Sequence, residues 1–433
     1  LADNRLLEAL AQFGAEEAEQ IFKDEYAGPD WSVEPAPVKR VAIFAEAFLP
    51  KVDGVSKTAY LTLQHLQQTG REVLVFAPDT APTVVGNSRV VPLPSVSAPA
   101  APETRVALPT PSISTILDEF RPDLIHLFSP ALLSAGGMLY ARRHGLPVIA
   151  NYQTDLPTYA YHYGWSMLAQ PARDWLRAVH NGCHLTLVPS DYTLSQLQTW
   201  GYRRLRRWAR GVNGDRFNPR RRSEVWRARL LNGRDPRSLL CLYVGRLANE
   251  KRVDLLLQVA HTPGVALTII GDGALRGELE TRFEGTGTHF MGYQYGEDLA
   301  DAYASADVFL FTGPCETFGQ VVQEAMASGL PAVVINQGGV AELVDEGFTG
   351  FRCPPDPAAF AAAARRLRDN PPLRAQMAAA ARLSAEQRPW SAIMGQLENY
   401  YRDAVALNQR FNQFVRPPTS PFQPFATLFQ RGR

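Results

Sequence analysis

Two carboxylates stand out in the stretch "GPCETFGQVVQEAMASGLPAV": Glu316 and Glu324, with seven residues between them, Gly319 inside the interval and apolar residues on either side. Such a pair can serve as acid and base, hold a metal, or read the hydroxyls of a bound molecule. The metal reading fits poorly, because no His, Asp or Cys lies nearby at ligand spacing. "DVFLF" has the pattern of a buried strand, "TGPCETFG" follows as the loop at its carboxyl end, and "QVVQEAMASG" is helical up to a stop at Gly329. Glu316 therefore belongs to a loop and Glu324 to the helix behind it. The amides from Phe318 to Val321 open that helix and favour an anion. A carboxylate on each side of an anion seat suits a nucleotide sugar, one for sugar hydroxyls and one for the ribose diol. Taken alone, Glu324 fits equally well as a helix-surface residue.

Other stretches add cations. "YVGRLANEK" places Arg246 and Lys251 in a loop after a strand, where a diphosphate would need donors. Two basic residues on a solvated loop are the plain alternative. "FLPKVDGVSKTAY" joins a strand to a helix, and Gly54, the helix start and Lys57 suit either a phosphate or an ordinary turn. "IIGDGALRGEL" is a further strand, glycine turn and helix. Between Arg203 and Arg229 the chain has eleven arginines. They suit an anionic substrate, a lipid headgroup or a solvated face between domains.

These residues need a frame. Short Val/Ile/Leu-rich strands alternate with amphipathic helices from "RVAIFAEAF" to "LTLVPS", and again from "SLLCLYVGRL" to "AAFAAAARRLRD". That alternation predicts an α/β protein built on two doubly wound parallel sheets. We expect a helical leader and Pro-rich connector over 1–37, domains over 38–208 and 209–390, a helix over 391–410 and an irregular tail over 411–433. Ligands of such sheets sit beyond the carboxyl ends of the strands, so two facing domains suit a two-part ligand in a deep cleft. The net charge of +1 argues against nucleic acid as a partner. The four cysteines form no CxxC pair, no apolar run reaches transmembrane length, and the first residues have an acidic amphipathic pattern unlike a signal peptide. A cytoplasmic location is expected, with a peripheral position on the cytoplasmic membrane face as the variant.

In order, "FLPKVDGVSKT", "HLFSP", "YQTDLPTYAYHYG", "LVPSDYT", "RGVNGDRFNP", "VGRLANEK", "GDG", "ETFGQVVQEAMASGLPAV" and "GGVAELV" resemble motifs of the retaining glycosyltransferases of family 4, which have the GT-B fold. The resemblance covers about residues 38 to 405. Its N-terminal half looks most like sulfoquinovosyltransferases and GDP-mannose-dependent α-mannosyltransferases acting on lipids. It implies transfer of a hexose from a nucleoside-diphosphate sugar to a lipid or glycolipid hydroxyl, with no metal or other cofactor. It also implies a last helix that crosses back onto the N-terminal domain.

By the same resemblance, Arg246 and Lys251 neutralise the diphosphate, Glu316 meets the sugar hydroxyls and Glu324 the ribose. Gly54 and Val55 close over the diphosphate, while Gly245, Gly271, Gly273 and Phe318 line the donor site. Gly319 admits close approach, with the amides of Gln320 and Val321 on phosphate. Asp155 is the catalytic candidate on the acceptor side, beside Lys57, His126, Gln153 and Tyr159; His126, at a strand end, fits the core equally well. Gln153 stands where many family members carry a His, and "DGVS" has one glycine where many have two. A sulfonated sugar would want an extra cation, for which Lys57 and several arginines are equally suited. A degenerate sugar-nucleotide binder, or a transferase with a soluble or polysaccharide acceptor, are the competing readings.

Overall fold

The computed structural model describes residues 14–98, 101–128, 131–153 and 166–415. The first domain contains β1 (Arg40–Ala45), β2 (Glu72–Pro78), β3 (Val84–Val85), β4 (Ser88–Leu93), β5 (Ser95–Ala98), β6 (Ala101–Ala107), β7 (Leu124–Phe128), β8 (Val148–Asn151), β9 (Leu185–Val188) and β10 (Leu205–Arg207). Apart from a β5–β6 hairpin, these strands form one sheet in the order β10-β9-β8-β7-β1-β2-β4-β3, parallel except at the β3–β4 edge. Along β1, Val41 and Ile43 enter one core while Ala42 and Phe44 enter the other, because side chains alternate across a strand. Both faces are covered, which is why the strand reads as unbroken apolar sequence.

The second domain contains β11 (Leu239–Val244), β12 (Val265–Ile270), β13 (His289–Phe290), β14 (Val308–Phe311), β15 (Ala332–Ile335) and β16 (Gly350–Cys353). They form a parallel sheet in the order β13-β12-β11-β14-β15-β16. The chain thus winds outward one way from β11, returns, and winds the other way from β14. Where the winding reverses, successive crossovers leave in opposite directions and a crevice opens beyond the strand ends. The same reversal occurs in the first domain between β1 and β7. The loops after these four strands are therefore the ones the fold offers to a ligand.

The helix Trp390–Val415 leaves the second domain and buries Trp390, Ile393, Met394, Leu397, Tyr401 and Ala404 in the core of the first. It continues past the expected end at 410 because the first domain receives it there. Asn412 Nδ2 donates to the Gly145 carbonyl at 3.0 Å, and the Phe411 ring lies 5.6 Å from that of His184. The leader is also part of this core: Ala18, Phe22, Tyr26 and Ala36 join it. Among the described residues no helix is long and apolar enough to cross a membrane.

Candidate active site

The switch point of the second domain gathers the loops after β11, β12 and β14. Gly271 has φ +135°, and a Cβ there would lie 2.0 Å from the Gly245 carbonyl oxygen. Only glycine lets the two loops touch in this way. Gly273 packs the same way against Leu247, whose amide donates to the Asp272 carbonyl at 2.9 Å. This contact aims "GRLANEK" across the crevice. Arg246 pairs with the buried Glu250 at 2.7 Å, and Lys251 pairs with Glu316 Oε1. The Lys251 ammonium sits 5.9 Å from the centroid of the Phe311 ring, which stacks on Tyr243. Lys251 and Glu316, 65 positions apart in sequence, are thereby joined, with Arg246 in the same loop as Lys251.

The loop holding Glu316 is clamped from behind, where the Gly339 amide donates to the Glu316 carbonyl at 2.8 Å. It ends at Gly319, whose φ of +98° turns the chain directly into the helix Gln320–Ala327 without a side-chain cap. Among the described residues, the amides of Gln320 and Val321 therefore meet no acceptor. The helix Gly54–Gln68 begins differently. Asp53 caps it, accepting from the Val55 and Ser56 amides at 2.9 and 2.8 Å. Burial works against the Asp53 charge, but Lys51 and the Ser56 amide outweigh it and hold the carboxyl below its usual range. The Val55 amide is thus occupied and stands beside a carboxylate, which corrects the expectation that it closes over a diphosphate. Of the two helix starts, the one at Gln320 is the one whose first amides are open, the arrangement that favours an anion.

Glu324 and Lys57 form a cluster that the sequence kept apart. Lys57 Nζ lies 3.1 Å from Glu324 Oε1 and 3.0 Å from Glu25 Oε1, and Arg216 Nη1 lies 3.0 Å from that same Glu25 oxygen. All four residues are buried. Burial disfavours the Lys57 charge, but the two carboxylates prevail and raise its pKa. Burial also pushes the Glu324 carboxyl up; Lys57 opposes this, and Glu25 adds to it. Lys57 is therefore a bridge between leader, first domain and second domain, which corrects its assignment to the acceptor side. Glu324 is thus buried and not a helix-surface residue, and its Oε1 is engaged by Lys57 and Gln320.

On the first domain's side, Gln153 offers its carbonyl to Thr317 Oγ1 at 2.8 Å, tying the loop after β8 to the Glu316 loop. His126 does not reach the cleft. Its ring is fully buried, with Nδ1 2.9 Å from the Tyr401 hydroxyl and Nε2 3.1 Å from Asn151 Oδ1, and burial lowers its pKa to about 4. Asp155 and Tyr159 lie outside the described residues. The arginine-rich stretch is dispersed into ion pairs: Arg207 with Asp191, Arg216 with Glu25, Arg221 with Asp301, and Arg222 and Arg227 with Asp307.

Sequence reasoning missed Glu46. It follows β1 at the first domain's switch point, and its Oε1 accepts from the Ala131 and Ser134 amides at 3.0 and 3.1 Å. Burial outweighs those bonds and pushes its pKa up to about 7. The available signal was an acid directly after an apolar strand in "RVAIFAEAF". Among the described residues no cluster of three His, Cys, Asp or Glu forms that could hold a metal ion.

Comparison with known proteins gives two family matches, "Glycosyltransferase Family 4" over residues 52–216 and "Glycosyl transferases group 1" over residues 226–384. The chain is 41% identical to a GDP-mannose-dependent alpha-mannosyltransferase of Mycobacterium tuberculosis, over 84% of this chain and 96% of that protein. A protein of the same description from Corynebacterium glutamicum is 36% identical over 86% and 90%. The sulfoquinovosyl transferase SQD2 of Arabidopsis thaliana is 34% identical over 83% and 73%. Among solved structures, the sucrose-phosphate synthase of Thermosynechococcus elongatus superposes with a TM-score of 0.70 at 22% identity, covering 85% of this chain and 99% of that one. The glycosyltransferase WaaG gives 0.64 at 18%, covering 83% and 99%. These two likenesses concern the fold, which is GT-B.

Proposed function

The chain belongs to the glycosyltransferases of group 1 and family 4, and from that premise we propose that it moves a hexose from a nucleoside-diphosphate sugar to a hydroxyl of a lipid or glycolipid, with retention at the anomeric carbon and no metal. The observation that carries this reading is the uncapped start of the helix Gln320–Ala327, with Glu316 and its partner Lys251 on one side and Glu324 on the other. GDP-mannose leads as donor, because the two mannosyltransferases compared above are described as dependent on it. The sulfoquinovosyl transferase keeps a sulfonated sugar in contention.

In this reading the diphosphate lies on the amides of Gln320 and Val321, and Arg246 and Lys251 lend positive charge as the leaving group develops. Preorganised donors of this kind lower the barrier because they need no rearrangement when charge appears. Glu316, released in part from Lys251, orients the sugar. Lys57 and Gln320 both contact Glu324 Oε1 at 3.1 and 3.4 Å, so the ribose diol falls to Oε2. A leaving-group phosphate oxygen takes the acceptor proton on the face where the bond breaks, which gives retention without an enzyme nucleophile. The acceptor enters from the first domain, and its lipid tail would bring the protein to a membrane surface.

Thermal-shift measurements with GDP-mannose, UDP-glucose, UDP-sulfoquinovose, GDP and UDP test the donor. A ligand present at a hundred times its Kd adds about 2.7 kcal/mol of stability. The anomeric configuration of the product, read by NMR, tests retention, and transfer in EDTA tests metal independence. A nucleotide that stabilises the protein while no hexose moves with any donor would favour a degenerate binder. No stabilisation and no transfer would sink the reading.

A further inference from the structure

Arg210 lies three residues past β10, where the chain leaves the carboxyl end of the first sheet and crosses to the second domain. Only 7% of the residue is exposed. Its guanidinium lies 5.4 Å from the centroid of the Trp208 ring, and among the described residues its one side-chain hydrogen bond is a marginal 3.5 Å contact to the Trp208 carbonyl. Among the described residues no carboxylate pairs with it, in contrast to the other cations of the cleft: Arg246 has Glu250, Lys251 has Glu316, and Lys57 has Glu25 and Glu324. Burial without a counter-charge pulls its pKa down to about 9, so it is still a cation at neutral pH. A buried guanidinium is ordinarily paired, since leaving it unpaired forfeits its hydration without recompense.

Its backbone is fixed against the anion seat. Gln323 Nε2 donates to the Arg210 carbonyl at 3.1 Å, and Gln320 Nε2 donates to the Gly211 carbonyl at 3.0 Å. Both glutamines belong to the helix whose first amides are open. We propose that Arg210 is an oxyanion-binding residue of the cleft, taking a phosphate either from the donor's diphosphate or from an anionic acceptor headgroup. The proposal rests on reading the cleft as a sugar-nucleotide transferase site, and adds to it a cation that arrives unpaired. The planar fork of arginine suits a phosphate bidentately.

The test uses the full chain and the variants Arg210→Gln and Arg210→Lys, titrated calorimetrically. One arm uses inorganic pyrophosphate, GDP and UDP; the other uses sn-glycerol 1-phosphate as the soluble form of a lipid headgroup. Losing a charge-assisted contact should weaken the relevant probe about ten- to a hundred-fold in Arg210→Gln, with Arg210→Lys between the two. Weakened pyrophosphate and nucleotide binding assigns the donor as the source. Weakened glycerol phosphate with unchanged nucleotides assigns the acceptor. Affinities within twofold of wild type for every probe overturn the proposal, as does a wild-type chain that binds none of them. If Arg210→Gln does not fold, Arg210→Lys is read with the same probes, and a several-fold weakening is expected. Failure of every donor in transfer, with pyrophosphate binding still dependent on Arg210, sinks the transferase reading and leaves Arg210 as an anion site.

Discussion

Glu398 anchors the returning helix, and Glu398→Gln is expected to loosen it by an amount the geometry sets. The carboxylate accepts from both terminal nitrogens of Arg71 at 2.7 Å, from His65 Nε2 at 2.7 Å and from the Ala36 amide at 2.7 Å. Burial works against the charge, but His65, Arg71 and the amide prevail and hold the carboxyl at about 2 instead of 4.5. A folded pKa below the unfolded one means stability that is complete above about pH 4.5 and drains away as pH falls toward 2. The contribution is about 3 kcal/mol at neutral pH and about 1.5 kcal/mol at pH 3. Glutamine removes the charge and leaves the Arg71 guanidinium buried without a counter-ion, a loss of about 3–5 kcal/mol at pH 7. Urea unfolding followed by tryptophan fluorescence reports on this region, because Trp208 donates to the Ile393 carbonyl and Trp390 lies in the same core. The gap between wild type and variant should narrow by roughly 2 kcal/mol between pH 7 and pH 3. A loss under about 1 kcal/mol at pH 7, or an equal loss at both pH values, would refute the account of a buried, charge-dependent anchor.

Lys251→Ala strips the cation from Glu316, and turnover should fall about a hundred- to a thousand-fold in a transfer assay with whichever donor is active. Glu46→Gln tests the raised carboxyl. With a folded pKa of about 7, wild type should lose up to about 3 kcal/mol as pH climbs from 4.5 through 7, whereas the variant stays flat in urea titrations across that range. Gly271→Ala forces a Cβ to 2.0 Å from the Gly245 carbonyl at a φ of +135°. It should cost at least about 2 kcal/mol and weaken nucleotide binding. Gly277→Ala meets nothing within 4 Å inside a helix, and should instead add up to about 1 kcal/mol.

Much of the frame was legible because it is local. Strand and helix alternation is written in apolar periodicity, and both sheets formed as that pattern requires. The loop-and-helix geometry around Glu316 and Glu324 was legible too, since a strand, a positive-φ glycine and a glycine stop lie within one short stretch. The Asp53 cap is local as well, an Asp followed three residues later by Ser, and it favours the ordinary turn of the two readings open for "FLPKVDGVSKTAY". His126 was ambiguous because a strand-end histidine reaches the cleft or the core according to what covers it, and Tyr401 of the returning helix covers it.

Two doubly wound domains, the open helix start at Gln320 and the cations of the loop after β11 are written along the chain, all consequences of neighbours a few residues apart. The pairing of charges is settled in three dimensions. Glu25, Lys57, Arg216 and Glu324 meet because three separate parts of the chain converge on one buried volume, while Arg210 has no acid beside it among the described residues. Coulomb attraction depends on distance and burial in space, and spacing along the chain records neither.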